Sequence, residues 1–98
     1  MLKKRILKDG KKCRVSFELP AEINAETATL CGEFNDWDKD AIPMKKLKSG
    51  KFTAATTLET GKDYRFRYWL DSERWENDWE ADAYKANEFG SEDSVVVL

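Results

Sequence analysis

The sequence predicts an all-β fold, a single β-sandwich, and three observations carry that expectation. Apolar side chains recur at every second position in several short segments. Turn-forming residues separate those segments at short, regular intervals. No stretch keeps the apolar period of a helix for more than one turn. With 98 residues, 41% of them hydrophobic and 37% charged, the chain has the length and composition of one soluble globular domain.

The elements follow in order. Cys13, Val15, Phe17 and Leu19 alternate with Lys12, Arg14, Ser16 and Glu18 until Pro20 stops the run, which is the pattern of a strand with one buried face. Ala28, Leu30, Gly32 and Phe34 repeat it and lead into the turn "GEFNDWD". Phe52, Ala54, Thr56 and Leu58 form a third set between "SGK" and "TGK", two glycine turns suited to hairpins. "YRFRYWLD" puts Phe66, Tyr68 and Leu70 on one face and Arg65, Arg67 and Trp69 on the other. Val95, Val96, Val97 and Leu98 read as a covered closing strand, and residues 80–86 as one helical turn. Linkers, internal repeats and low-complexity segments are missing from the sequence.

Charge and residue type exclude several functions. Residues 1–14 carry seven Lys/Arg and one acid, while residues 71–98 carry nine acids and two Lys/Arg, within a net charge of −2. The basic segment is short and has no aromatic interleaved with it, so two solvated strands that attract each other are expected rather than a nucleic-acid surface. The basic start is not followed by the apolar stretch of a signal peptide, and no apolar run approaches the roughly 18–20 residues that span a bilayer. Cytoplasmic residence without membrane contact is the expectation. Cys13 and Cys31 are then expected reduced and buried. The absence of histidine removes the commonest general base and metal ligand, so no metal or other cofactor is expected.

Asp71, Glu73, Glu76, Asp78, Glu80 and Asp82 supply carboxylates in number. A glycosidase pair would need a walled cleft to raise one pKa, and a small sandwich has little material for walls. No phosphate loop, Ser-His or Cys-His arrangement occurs, and the chain is not expected to be an enzyme. What stands out is large aromatics among turn formers: Trp37 in "NDWD", Trp75 in "SERWEND", Trp79 in "NDWEAD" and Phe89 in "NEFGSED". A flat ring ringed by amides and carboxylates suits a sugar, whose axial C–H face stacks on it. Covering about 100 Å² of apolar surface this way contributes on the order of 2–3 kcal/mol. The other reading is that such rings plug the sandwich ends, and that reading fits Trp79 best.

Together, "LCGEFNDWD…PM", "GKFTAATTLETGKDYRFRYWLD", "RWENDWEADAY" and "NEFGSEDSVVVL" resemble carbohydrate-binding module family 48, the isoamylase N-terminal or early-set domain, over about residues 13–98. The resemblance extends to the glycogen-binding domain of the AMP-activated protein kinase beta subunit and to short bacterial proteins that consist of this domain alone. It implies an immunoglobulin-like sandwich over residues 1–98, with residues 1–12 as an added N-terminal strand or arm.

It also implies a non-catalytic module for α-1,4-glucan, glycogen or starch, that accompanies a glycogen-metabolising enzyme or regulator. The alternative is an interaction or structural domain of the same fold that has lost the sugar. By resemblance the binding residues are Trp37, Trp75, Arg67, Phe89, Ser91 and Asp93. Arg67 stands where the family has lysine, Asp93 where it has asparagine, and the hairpin before Trp75 is one residue longer and lacks the family's glycine. Glu92, Glu88 and Asp82 are expected to crowd the Asp93 carboxylate, so that Asp93→Asn would keep or tighten affinity.

Overall fold

A computed structural model describes residues 2–98. Strands β1 (Leu2–Ile6), β2 (Lys12–Leu19), β5 (Phe52–Glu59) and β4 (Lys45–Lys46) form one sheet in the order β1-β2-β5-β4. Strands β3 (Ala28–Gly32), β6 (Asp63–Leu70), β9 (Glu92–Val97) and β8 (Ala83–Ala86) form the other in the order β3-β6-β9-β8, with β7 (Arg74–Glu76) pairing β6. Every pairing is antiparallel. Two short 3-10 turns, Ala21–Ile23 and Glu33–Asn35, interrupt the strands, and no α-helix occurs among the described residues. The result is a β-sandwich, as the alternation predicts, of the immunoglobulin-like kind that the resemblance implies.

The sheets meet where that alternation aims the side chains. Cys13, Val15, Phe17 and Leu19 of β2 and Phe66, Tyr68 and Leu70 of β6 are all at most 1% exposed. Phe17 and Phe66 touch edge to face with centroids 5.0 Å apart, the arrangement favoured by ring quadrupoles. The Tyr68 hydroxyl donates to Asp78 at 2.7 Å, so the one polar tip in this row is satisfied and pins the loop after β7 to the core. Burial, then the neighbouring Asp78 charge, pushes the Tyr68 pKa well above its ordinary value.

The helical turn expected at 80–86 is replaced by strand β8. "AYKA" has helix-forming alanines, but Ala83–Ala86 lies in register with β9, Ala83 opposite Val95 and Ala86 opposite Glu92, and ladder pairing overrides local propensity. The closing strand accordingly starts at Glu92, not at Val95, and ends at Val97. The charge asymmetry is realised as contact: Lys4 of the edge strand β1 reaches Asp82, the residue just before the edge strand β8, at 2.6 Å. Cys13 and Cys31 are buried free thiols.

Candidate functional site

The turn after β3 is built around an amide and a close approach. Gly32 leaves no room for a side chain, because a Cβ there would lie 2.6 Å from the carbonyl oxygen of Arg65. The Asn35 side chain accepts from the Gly32 N–H at 3.0 Å and donates to the Leu30 carbonyl at 3.0 Å, clamping the turn. The chain then takes two left-handed residues in succession, Asp36 (φ 55°) and Trp37 (φ 58°), before the Trp37 N–H donates to the Gly32 carbonyl. Left-handed backbone costs an L-residue about 1–2 kcal/mol, and a bulky residue there is an outlier that the surroundings must hold. Cys31 fixes the following residue by donating to the Asp38 carbonyl at 3.4 Å. Burial, and next the Asp38 charge, raises this thiol to about 11, so it is a donor and not a nucleophile at neutral pH.

The second wall comes from the β6–β7 hairpin. Asp71 (φ 52°) and Ser72 (φ 55°) are both left-handed, and the Glu73 N–H closes the turn on Leu70 at 3.0 Å. Asp71 also accepts from the Thr27 and Glu26 N–H groups at 3.0 and 2.7 Å, which holds its carboxyl below the usual pKa. Beyond the turn, Trp75 pairs directly across from Trp69, ring centroids 4.7 Å apart and planes at 51°. On its other side Trp75 meets Trp37 at 6.3 Å and 82°. The longer hairpin therefore still delivers Trp75 to Trp37, and the two rings make a corner.

Beside the corner lies a polar floor. Asp93 is only 7% exposed; its carboxylate takes Arg65 at 3.2 Å, Arg67 Nε at 3.1 Å and Asn87 Nδ2 at 3.0 Å. The expected crowding by acids is thus corrected. The residues adjacent in sequence are acidic, but the strand pairing surrounds Asp93 with guanidinium groups, and Asp82 is held by Lys4. Arg67 further donates from Nε to the Glu92 carbonyl at 3.1 Å and from Nη2 to Ser91 Oγ at 2.6 Å and to Glu92 O. Arg65 donates to the Ala86 carbonyl at 3.1 Å. The β8–β9 turn is held by Asn87, whose Oδ1 accepts from the Phe89 and Ser91 N–H groups.

A groove of about 600 Å³ runs between corner and floor. Trp37, Trp75, Arg67, Phe89 and Asp93, five of the six residues singled out from the sequence, line it together. Ser91 is not in that lining; it sits behind, bonded to Arg67. Phe89 is 85% exposed, so it lines the groove without being a packed wall. Sequence reasoning missed Arg65, Asn87 and Glu33, which also line the groove. Glu33 accepts the Arg65 N–H at 2.6 Å, where β3 has ended and β6 has lost its neighbour. Trp79, the ring that the end-plug reading fits best, is 54% exposed. No cluster able to hold a metal ion occurs among the described residues.

Comparison with known proteins agrees with this architecture. The family described as carbohydrate-binding module 48 (isoamylase N-terminal domain) matches residues 8–85, well over half of the chain. The matched stretch contains both walls of the corner and both arginines, while Phe89, Ser91 and Asp93 lie beyond it. No curated protein matches the chain.

Proposed function

Because the chain belongs to the carbohydrate-binding module 48 family, we propose that it is a non-catalytic module for α-1,4-linked glucans of the glycogen and starch type. The observation that carries this reading is the corner of Trp37 and Trp75, 82° apart above the groove. A flat β-linked chain presents its rings in one plane and suits coplanar platforms. An α-1,4 chain curves, so successive rings face different directions, and platforms at an angle follow it. Each stacked ring covers apolar surface, while the exposed carboxylate of Glu33 at the groove receives hydroxyls. An open site of this kind gives Kd values of roughly micromolar to millimolar, about −4 to −8 kcal/mol.

In this reading the protein resides in the cytoplasm and brings a glycogen-metabolising enzyme or regulator to the polymer. Retarded migration in a native gel containing glycogen or amylopectin tests the core of it, with calorimetry against β-cyclodextrin, maltoheptaose and, as the straight-chain control, cellohexaose. Binding to the α-glucans alone is expected. No retardation and no heat with either α-linked ligand would leave the domain as an interaction module of the same fold.

A further inference from the structure

The polar floor is unsuited to supplying the donors that the proposed sugar site needs. Arg67 has Nε and Nη2 engaged by Asp93, Ser91 and Glu92, and its side chain is only 16% exposed. Arg65 Nη1 is shared between Asp93 and the Ala86 carbonyl. A hydroxyl that recruited these groups would have to break bonds that already satisfy them.

An uncommitted cation stands elsewhere. The Lys39 ammonium lies 4.0 Å from the centroid of Trp69 and 5.4 Å from that of Trp75. Among the described residues it makes no ion pair and no hydrogen bond, so N–H donors on the side away from the indole are not committed to an oxygen acceptor. Two features place it on the path of a chain leaving the corner. Trp69 continues the aromatic surface from Trp75 at 4.7 Å, tilted by 51°. Lys39 also follows Trp37 by two residues, on the segment that Cys31 fastens through the Asp38 carbonyl. Contact with the indole narrows the positions a flexible lysine samples, which lowers the ordering cost when it meets a ligand.

We propose that Lys39, seated on Trp69, donates to a glucose unit beyond those held at the Trp37–Trp75 corner, so that Trp37, Trp75 and Lys39 form one continuous path. The proposal rests on the α-glucan reading above and extends it to chain length. A ligand too short to pass Trp75 cannot reach Lys39, whereas a longer one is gripped twice.

Two measurements test it on the whole protein. In calorimetry, the advantage of maltoheptaose over maltotriose should shrink about tenfold in Lys39→Ala, the size expected for one hydrogen bond to a charged group. If Lys39 merely braced Trp75, both ligands would weaken alike and the advantage would stay. In the second, unmodified protein is treated with an amine-acylating reagent and the modified lysines are counted by mass spectrometry. Maltoheptaose should slow acylation of Lys39 several-fold relative to Lys48, and cellohexaose should not. Equal acylation with and without maltoheptaose, in protein that calorimetry shows to bind it, overturns the assignment of Lys39 alone. Absence of any binding to maltoheptaose overturns the α-glucan reading and this extension together.

Discussion

Trp37 and Trp75 touch only at an angle and keep open surface, with Trp75 still 37% exposed, whereas Arg65, Arg67, Asp93, Asn87 and Ser91 beside them satisfy one another. Both groups line or back the same groove, yet they are built on different terms. The aromatic half keeps part of its surface exposed, so a ligand can meet it without breaking a hydrogen bond. The polar half is a closed network whose product is shape: it fixes the β8–β9 turn and the end of β6. Chemical type alone would have ranked them the other way, since arginines and carboxylates look like the natural partners of hydroxyl groups. Commitment of each donor decides the matter, not its presence.

The strongest way to break this contrast is to remove the centre of the network. Asp93→Ala leaves two guanidinium groups facing each other in a largely buried place and should cost about 3 kcal/mol of stability. Asp93→Asn keeps one acceptor oxygen but turns an N–H toward a guanidinium, so a smaller loss of stability, about 1–2 kcal/mol, is expected. Urea unfolding of both variants checks the order; losses below about 0.5 kcal/mol would show the floor to be loosely coupled.

Trp37→Ala should invert the pattern. Affinity for β-cyclodextrin falls by at least about 1–2 kcal/mol, as for a central aromatic anchor, while the unfolding midpoint stays nearly unchanged. A folded variant of undiminished affinity would remove Trp37 from the site. Smaller still is Ser72→Gly. Glycine accepts the left-handed conformation of position 72 without a Cβ penalty, so stability rises by about 0.5–1 kcal/mol. Sugar affinity should not follow, because the contact with Trp69, not the turn residue, sets the pose of Trp75. A parallel change in affinity would show that the hairpin itself aims the ring.

The last effect appears only on acidification. The folded-state pKa of Asp71 lies below its ordinary value, so its backbone hydrogen bonds stabilise the fold above the ordinary carboxylate range. That contribution is lost as pH falls through the lowered value. Asp71→Asn tolerates the same left-handed backbone, and its stability deficit against the native protein should close as pH drops. A deficit that persists in acid would assign the effect to backbone geometry instead of charge.

What was legible follows from how local each cause is. Strands β2, β5 and β6 could be read because one buried face imposes alternation on the residues themselves, as in Phe66, Tyr68 and Leu70. Trp37 and Trp75 were visible because large rings in turns of Asn and Asp have no local reason to be there. Strand β8 was not, since "AYKA" becomes a strand only through β9. The neighbours of Asp93 were misjudged because sequence lists Glu92 and Glu88 beside it, while cross-strand register supplies Arg65 and Arg67. Trp69 and Lys39 escaped for the same reason: the pairing of Trp69 with Trp75 exists only once the hairpin register is fixed.

The edges of the first sheet bear on how such a molecule behaves in company. Strand β1 at one edge carries Lys3, Lys4 and Arg5, and β4 at the other is Lys45-Lys46, with these five side chains exposed. An unpaired strand edge is a template for a neighbouring chain, and cationic side chains along it oppose that pairing. Any setting that gathers many copies raises their local concentration, where sheets would otherwise begin to add to one another. Lysine-fringed borders oppose that addition, so neighbouring copies stay separate even when crowded.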